Sequence, residues 1–550
     1  MDQETVKYHL KQVLGRLPFL PEIYQKWWAG DRPPSAGYRT DRLSQVLNRW
    51  VAAATQNREG RLHGQVKRIL IFGYLPWWLE YTCALGTLMA AQGHNVELVF
   101  LPYRRWMNPV SQFDVRRQHA LLMGALTPLK SVLTLHDLAR VARSPLPEEL
   151  ALQVEFQSKI DVQYTLQRED INLDVPGEAK DLFSLRFARN RAAAAASLNL
   201  FQQNRYDVVI VPNGSILEFG AVYRTARFMN VPTVTFEFGE QRQRLWLAQD
   251  AEVMRLDTSD VWHARGKTPL VEKEIESLSQ LYQARRGGHL WHNFARQWQP
   301  KASKGAQDVC ELLDLDLNRP IVLLCTNVVG DSLALNRQIF TQGMADWLEN
   351  TVRHFAQRPE AQLVIRVHPG EMLGAGHPSV EIVRTAVPDQ PPHVITIEPD
   401  AEVNTYDLIE VAHMGLVYTT TVGMEMAMAG VPVVVSGHTH YRGKGFTHDP
   451  ESLTEYFEIL DQRIAEPLNR RLSREKVDLA IRYAYRFFFE YPFTFPWHLV
   501  SFWDDISERP LEQVSTPEGL KPHKRTMEAF LGEPIDWLNR SGACMEREIA

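Results

Sequence analysis

Cysteine is scarce in this chain. Its 550 residues include four, Cys83, Cys310, Cys325 and Cys544, with no metal-like pairing and too low a density for a disulfide framework. Such usage suits a reducing compartment, so a cytoplasmic location is expected. Long apolar runs are missing too: nothing approaches the roughly 18 consecutive apolar residues that a membrane-spanning helix needs. Charge of one sign never dominates. Sixty basic against 66 acidic side chains leave a net charge of −6 without a long single-sign block, which argues against a nucleic-acid partner held by a broad basic footprint. No GxGxxG follows the first strand-like run, so the dinucleotide fingerprint is missing and an oxidoreductase reading is weak. No Asp-x-Asp falls in a loop suited to a metal-bridged diphosphate, and neither a metal nor another cofactor is expected. Residues 1–14 are amphipathic and mixed in charge, unlike a secretory signal. Peripheral membrane contact stays open. The aromatic cluster between Tyr483 and Trp497 could serve it, although packing against another domain is the plainer reading.

What is present is an ordinary globular composition, 45% apolar and 23% charged, on a chain long enough for two or three domains. Residues 1–65 read as helical and connective. Residues 66–76 (VKRILIFGYLP) form a strand entering a loop, residues 80–92 a helix and residues 94–101 the next strand, the opening of a Rossmann-like unit. Residues 103–204 read as a helical insertion. The strand pattern resumes at YDVVIVP and VPTVTFEFGE, residues 240–305 read as helical, and residues 297–308 resemble a linker. A second alternating series begins at Arg319. The expectation is therefore an α/β protein of two facing Rossmann-like domains, residues 66–300 and 308–470, followed by a helical tail over 471–550 for which packing back onto the first domain is left open.

The second series culminates in residues 407–450. An apolar strand (residues 414–418) runs into Thr419, Thr420 and Thr421, then into a short helix over residues 422–429 that Gly430 caps, and then into a second buried strand. Polar residues thus gather at a helix N-terminus, where amides and the helix dipole favour an anion. Thr420, Thr421 and Gly423 are candidates for a phosphate-binding turn; the plain alternative is a solvated turn. Glu425, one turn further on, is placed to accept from ribose hydroxyls, or else is a solvated helix-face carboxylate. In AQLVIRVHPGE, Pro369 ends the strand at His368, beyond its carboxyl end, where ligands of open parallel sheets bind. A histidine there can meet phosphate or act as a general acid at its ordinary pKa of about 6.5. Arg366 adds a fixed positive charge for phosphate or for a structural carboxylate. Asn327 and Asp331, with Ser332, either reach the crevice or make an Asx turn.

The order TNVVGDS, ADWLENTV, QLVIRVHPGE, DLIEVAHMGLVYTTTVGMEMAMAGVPVVVSG and HYRGKGFTHD resembles the capsule-polysaccharide-biosynthesis type of glycosyltransferase, which includes Kdo transferases using CMP-linked sugar. In the first half VIVPNG and VTFEFGEQRQR are similar to that family's asparagine–glycine loop and acidic strand end. The resemblance covers about residues 205–450 and implies a GT-B fold. It also implies a nucleotide-sugar donor (CMP-, UDP- or GDP-linked) on the second domain and a glycan or lipid-linked acceptor on the first. It puts His368, Thr420 and Thr421 at the donor phosphate and Glu425 at the nucleoside. On the acceptor side Glu80, Asn213 and Arg242 are candidates, and Glu237 is the favoured catalytic carboxylate, a salt bridge to Arg242 or Arg244 being its structural alternative. A sugar-nucleotide epimerase and a non-catalytic nucleotide-sugar scaffold share this architecture and remain rivals.

Overall fold

A computed structural model of the protein describes residues 3–35, 37–59, 65–289, 301–373 and 378–540. Cys544 and the first four residues of the expected linker, 297–300, lie outside them. Two sheets organise the chain. The first has seven strands: β1 (Arg68–Gly73), β2 (Asn95–Phe100), β3 (Thr134–Asp137), β4 (Val208–Pro212), β5 (Thr233–Glu237), β6 (Arg244–Gln249) and, from the C-terminal tail, β12 (Phe493–Thr494). Their order is β12-β6-β5-β4-β1-β2-β3. The second holds β7 (Ile321–Cys325), β8 (Gln362–Arg366), β9 (Val394–Ile397), β10 (Met414–Val417) and β11 (Val433–Val435), in the order β11-β10-β7-β8-β9. Runs such as IVLLC and VVIVP are apolar at every position because helices cover both faces of a parallel sheet.

Both sheets carry the same topological switch. β1 pairs in parallel with β2 and with β4, and β7 with β8 and with β10. A reversal of strand order leaves a crevice outside the carboxyl ends of the central strands. The loops following β4, β5, β7, β8 and β10 therefore converge from two sheets on one gap. This is a GT-B arrangement of two Rossmann-like units.

Three elements depart from the sequence reading. The insertion is not wholly helical: β3 lies within it and pairs with β2, Leu135 against Leu98. Within residues 240–305, RLWLAQ forms β6, antiparallel to β5, because Leu245 and Leu247 alternate inward and both are buried. The tail is only partly helical. Its helix Arg474–Tyr485 packs on the second unit, and the chain then crosses over so that Phe493 pairs with Leu245 of β6. The aromatic cluster between Tyr483 and Trp497 is consequently interior, with Tyr483, Phe495 and Trp497 almost fully buried, and offers nothing to a membrane.

The insertion is fixed to the first unit by a buried charge network. Arg186, fully buried, donates to Glu218 (2.6 Å), Asp161 (3.2 Å) and Asn190 (3.1 Å), and Asp161 accepts from the Leu217 amide at 2.6 Å. Its far end touches the second unit, where Glu169 accepts from the Ala345 amide at 2.7 Å at the start of the helix Met344–Ala356.

Candidate functional site

The gap between the sheets is a cavity of about 490 Å³ walled by both units. From the first come Asn213, in a left-handed conformation after β4, and Glu237 at the end of β5. The Asn213 backbone N–H bonds the Phe236 carbonyl (2.8 Å), and its side-chain oxygen accepts from the Ser215 amide (3.0 Å). That fixes the carboxamide, whose nitrogen donates to Glu237 at 2.9 Å; the other Glu237 oxygen accepts from the Phe238 amide at 3.0 Å. Glu237 is thus an oriented, half-buried carboxylate on the cavity wall.

From the second unit come Asn327, Asp331, His368, Thr420 and Thr421. Asn327 accepts the Thr419 amide at 3.1 Å and so ties the ends of β7 and β10 together at the switch point. Nδ1 of His368 accepts the Gly370 amide at 2.9 Å, so the ring proton sits on Nε2. Burial, helped by the Arg366 cation, lowers this imidazole to about 4. His368 is therefore neutral at physiological pH; the titrating acid expected from its ordinary pKa is not what burial leaves. In the threonine turn, the amides of Gly423 and Met424 already bond the carbonyls of Thr420 and Thr421 at 3.3 and 3.0 Å. The phosphate-binding turn expected from the sequence would therefore rely on threonine hydroxyls more than on helix amides.

Sequence comparison bears on this second wall. Residues 282–469 match the family described as capsule polysaccharide biosynthesis protein. The matched segment is about a third of the chain and includes Asn327, Asp331, His368 and the threonine turn, but neither Asn213 nor Glu237. No curated protein matches. Among solved structures, the chain is similar to the β-Kdo 2,4 transferase KpsC of Thermosulfurimonas dismutans at 17% identity, over 50% of this chain and 79% of that one, with a TM-score of 0.32. It is also similar to the UDP-GlcNAc 2-epimerase of Neisseria meningitidis, solved bound to UDP-GlcNAc (12%, 75% and 94%, TM-score 0.24). A glycosyl transferase family 9 protein of Veillonella parvula overlays comparably (11%, 76% and 93%, TM-score 0.21). Overlays this loose identify no substrate.

Several residues singled out in the sequence are not on the cavity wall. Within the matched segment, Arg366 turns to the backbone, donating to the Glu398 carbonyl at 2.7 Å, and serves the loop after β9. Glu425 is buried, accepts from Tyr406 at 3.1 Å and pairs with Arg285, which also bridges to Glu240. A ribose cannot reach it without breaking that ion triad. Gly423 is a close-packing position: a Cβ there would stand 2.4 Å from the Tyr441 hydroxyl, which itself bonds the Thr420 carbonyl at 2.6 Å. In the first unit, Glu80 accepts from Trp503 Nε1 at 2.9 Å and anchors the tail, while Arg242 is exposed outside the cavity.

The cavity also gathers groups the sequence did not reveal. Arg337 lines it and donates to the Met254 carbonyl across the gap at 2.7 Å. Burial and the neighbouring Arg255 lower it to about 10, so it stays charged at neutral pH. Tyr164 reaches the wall from the insertion, and burial with the nearby Asp331 and Glu237 carboxylates raises it to about 12. Trp77, Trp106 and Trp246 add flat apolar surface. None of these stands in a spacing that separates a site residue from a core or surface one. Among the described residues no group of three or more His, Cys, Asp or Glu is arranged to hold a metal.

Proposed function

We propose that this protein is a glycosyltransferase that moves a sugar from a CMP-, UDP- or GDP-linked donor to a hydroxyl of a surface-polysaccharide or lipid-linked glycan. The observation that carries this reading is the single cavity on which the oriented carboxylate of Glu237 and the donor set of His368, Thr420 and Thr421 converge from opposite sheets. The family match over residues 282–469 supports the donor wall.

In this scheme the donor phosphate lies against Thr420, Thr421 and the Nε2–H of His368, with Asn327 and Asp331 beside it. The acceptor hydroxyl approaches along the first unit, over tryptophan faces that suit the apolar side of a sugar ring. Glu237 takes the hydroxyl proton as the new C–O bond forms. The bond from the anomeric carbon to the phosphate oxygen breaks, and its electron pair leaves with the nucleotide. Arg337 and the neutral histidine stabilise that leaving charge, since fixed donors and cations in a water-poor cleft favour the transition state. Closure of the units around both substrates excludes water.

Purified protein incubated with labelled CMP-, UDP- and GDP-sugars, with and without a glycan acceptor, tests this. Transfer that requires both substrates supports it. Interconversion of the sugar without acceptor would assign an epimerase instead, and tight binding without any turnover would assign a scaffold.

A further inference from the structure

The N-terminal arm is built inside out. The helix Gln3–Arg16 lies on the helix Gln112–Ala125, and beside Tyr8, Leu14 and the buried Gly15 it turns polar side chains to the protein. Lys11 bonds Asp114 at 2.8 Å and Gln12 accepts the Gln112 amide at 3.2 Å. The next turns continue the pattern, with Arg116 on Glu22 and Arg117 on Gln25, both at 2.9 Å. The apolar stripe Val6, Leu10, Val13 and Leu17, spaced by one helical turn, points to solvent and each member is at least 46% exposed. Three aromatic residues extend it: Phe19, Trp27 and Trp28 are 72%, 74% and 73% exposed. A soluble surface has no reason to turn its stripe outward while salt bridges hold the other face down.

We propose that this arm is a docking surface for an anionic lipid bilayer, lying in the interface plane without crossing it. Charge selects this occupant. Residues 1–35 carry Lys7, Lys11, Arg16, Lys26 and Arg32 against Asp2, Glu4, Glu22 and Asp31, a net charge of +1 in a chain whose net charge is −6, and from residue 5 on the exposed ones are Lys7, Arg16, Lys26 and Arg32 against Asp31. Lys26 sits 6.0 Å from the Trp27 ring. Cations interleaved with tryptophan and leucine are the composition of helices that bury their apolar face at the headgroup boundary and are drawn to anionic lipid. Placement agrees. Tyr8 and Gln12 of the helix wall a second cavity of about 420 Å³ together with Tyr103 and Val110, from the same loop that carries Trp106 into the central cleft. Docking would thus hold the first unit's side of the cleft at the membrane. The inference stands on the arm alone and survives whether or not the reaction is sugar transfer.

The full-length protein is pelleted with phosphatidylcholine vesicles, with and without phosphatidylglycerol. We expect co-sedimentation with the anionic vesicles only, weakening with salt, and a loss of partitioning of at least about 10-fold in a Trp27→Ala/Trp28→Ala variant. Because both rings are exposed, the variant keeps its melting temperature and pellets only with difficulty for want of anchors, not of fold. Failure of the wild type to pellet, or equal pelleting of the variant, overturns the proposal. So does a concentration-dependent dimer in sedimentation velocity that the same variant abolishes, which would assign the stripe to a second copy of the chain.

Discussion

Replacing Glu237 by glutamine separates the chemistry of the carboxylate from its place in the wall. The substitution preserves shape and removes charge. Glu237 accepts from the Asn213 carboxamide at 2.9 Å and from the Phe238 amide at 3.0 Å. Asn213 cannot turn over to present its oxygen instead, because that oxygen holds the Ser215 amide at 3.0 Å. Glutamine must therefore aim its own NH2 at one of two donors, losing one charge-assisted bond. Such a bond contributes about 1.5–3 kcal/mol when buried, and this half-exposed one is expected to contribute about 1 kcal/mol. The loss of a general base is larger, about 10²–10⁴ in kcat, or roughly 2.7–5.5 kcal/mol of barrier. The two effects differ enough to be read apart. Steady-state transfer with saturating donor and acceptor should fall at least about 100-fold, while donor affinity by calorimetry changes less than about 2-fold. A kcat within about 3-fold of wild type, with the small loss in melting temperature still present, would leave Glu237 as a strut for the Asn213 loop and refute its catalytic role.

Three further outcomes are expected. His368→Ala should lower kcat by about 10²–10³, as removal of a fixed donor does, and the wild-type to variant ratio should stay flat between about pH 5.5 and 8; a ratio that titrates near 6.5 would show an ionising imidazole and overturn the neutral-donor reading. Arg186→Met should destabilise the first unit by about 3–5 kcal/mol in urea unfolding, since it strands the buried Glu218 and Asp161; a loss below about 1 kcal/mol would mean that those carboxylates find other partners. Burial of Glu169 against the second unit raises its carboxyl to about 7. A raised carboxyl binds its proton more tightly in the folded state, so its contribution favours folding at low pH and is lost as pH climbs from the ordinary carboxylate range through 7. The melting temperature of Glu169→Gln should accordingly vary less between pH 5 and 8 than that of the wild type, and parallel profiles would remove Glu169 as the source.

Strand-forming runs were legible because they announce themselves locally. Apolar runs such as ILIFG, VVIVP, IVLLC and MGLV leave little alternative to buried parallel strands. The alternation with helices then fixed a doubly wound class. Residues immediately beyond strand ends were legible for the same reason: His368 before Pro369, Asn213 before Gly214 and the threonines after β10 all reach the cavity. Three strands of the first sheet were not. β3, β6 and β12 exist because a neighbouring strand offers its unpaired edge, which no local pattern encodes.

The sequence by itself determined the two α/β units, the lack of any run long and apolar enough for a membrane-crossing helix, and a set of polar residues at strand ends. Tertiary structure decided which charges are usable. Arg366 and His368 stand two residues apart with the same alternation, yet one is tied to backbone carbonyls and the other lines the cleft as a neutral donor. Glu425 and Glu237 are both carboxylates near strand ends, but Arg285 neutralises the first while amide donors orient the second. The physical reason is common to all four. A side chain's charge state and reach depend on burial and on partners far away in the chain, such as Arg285 for Glu425, and sequence spacing carries neither.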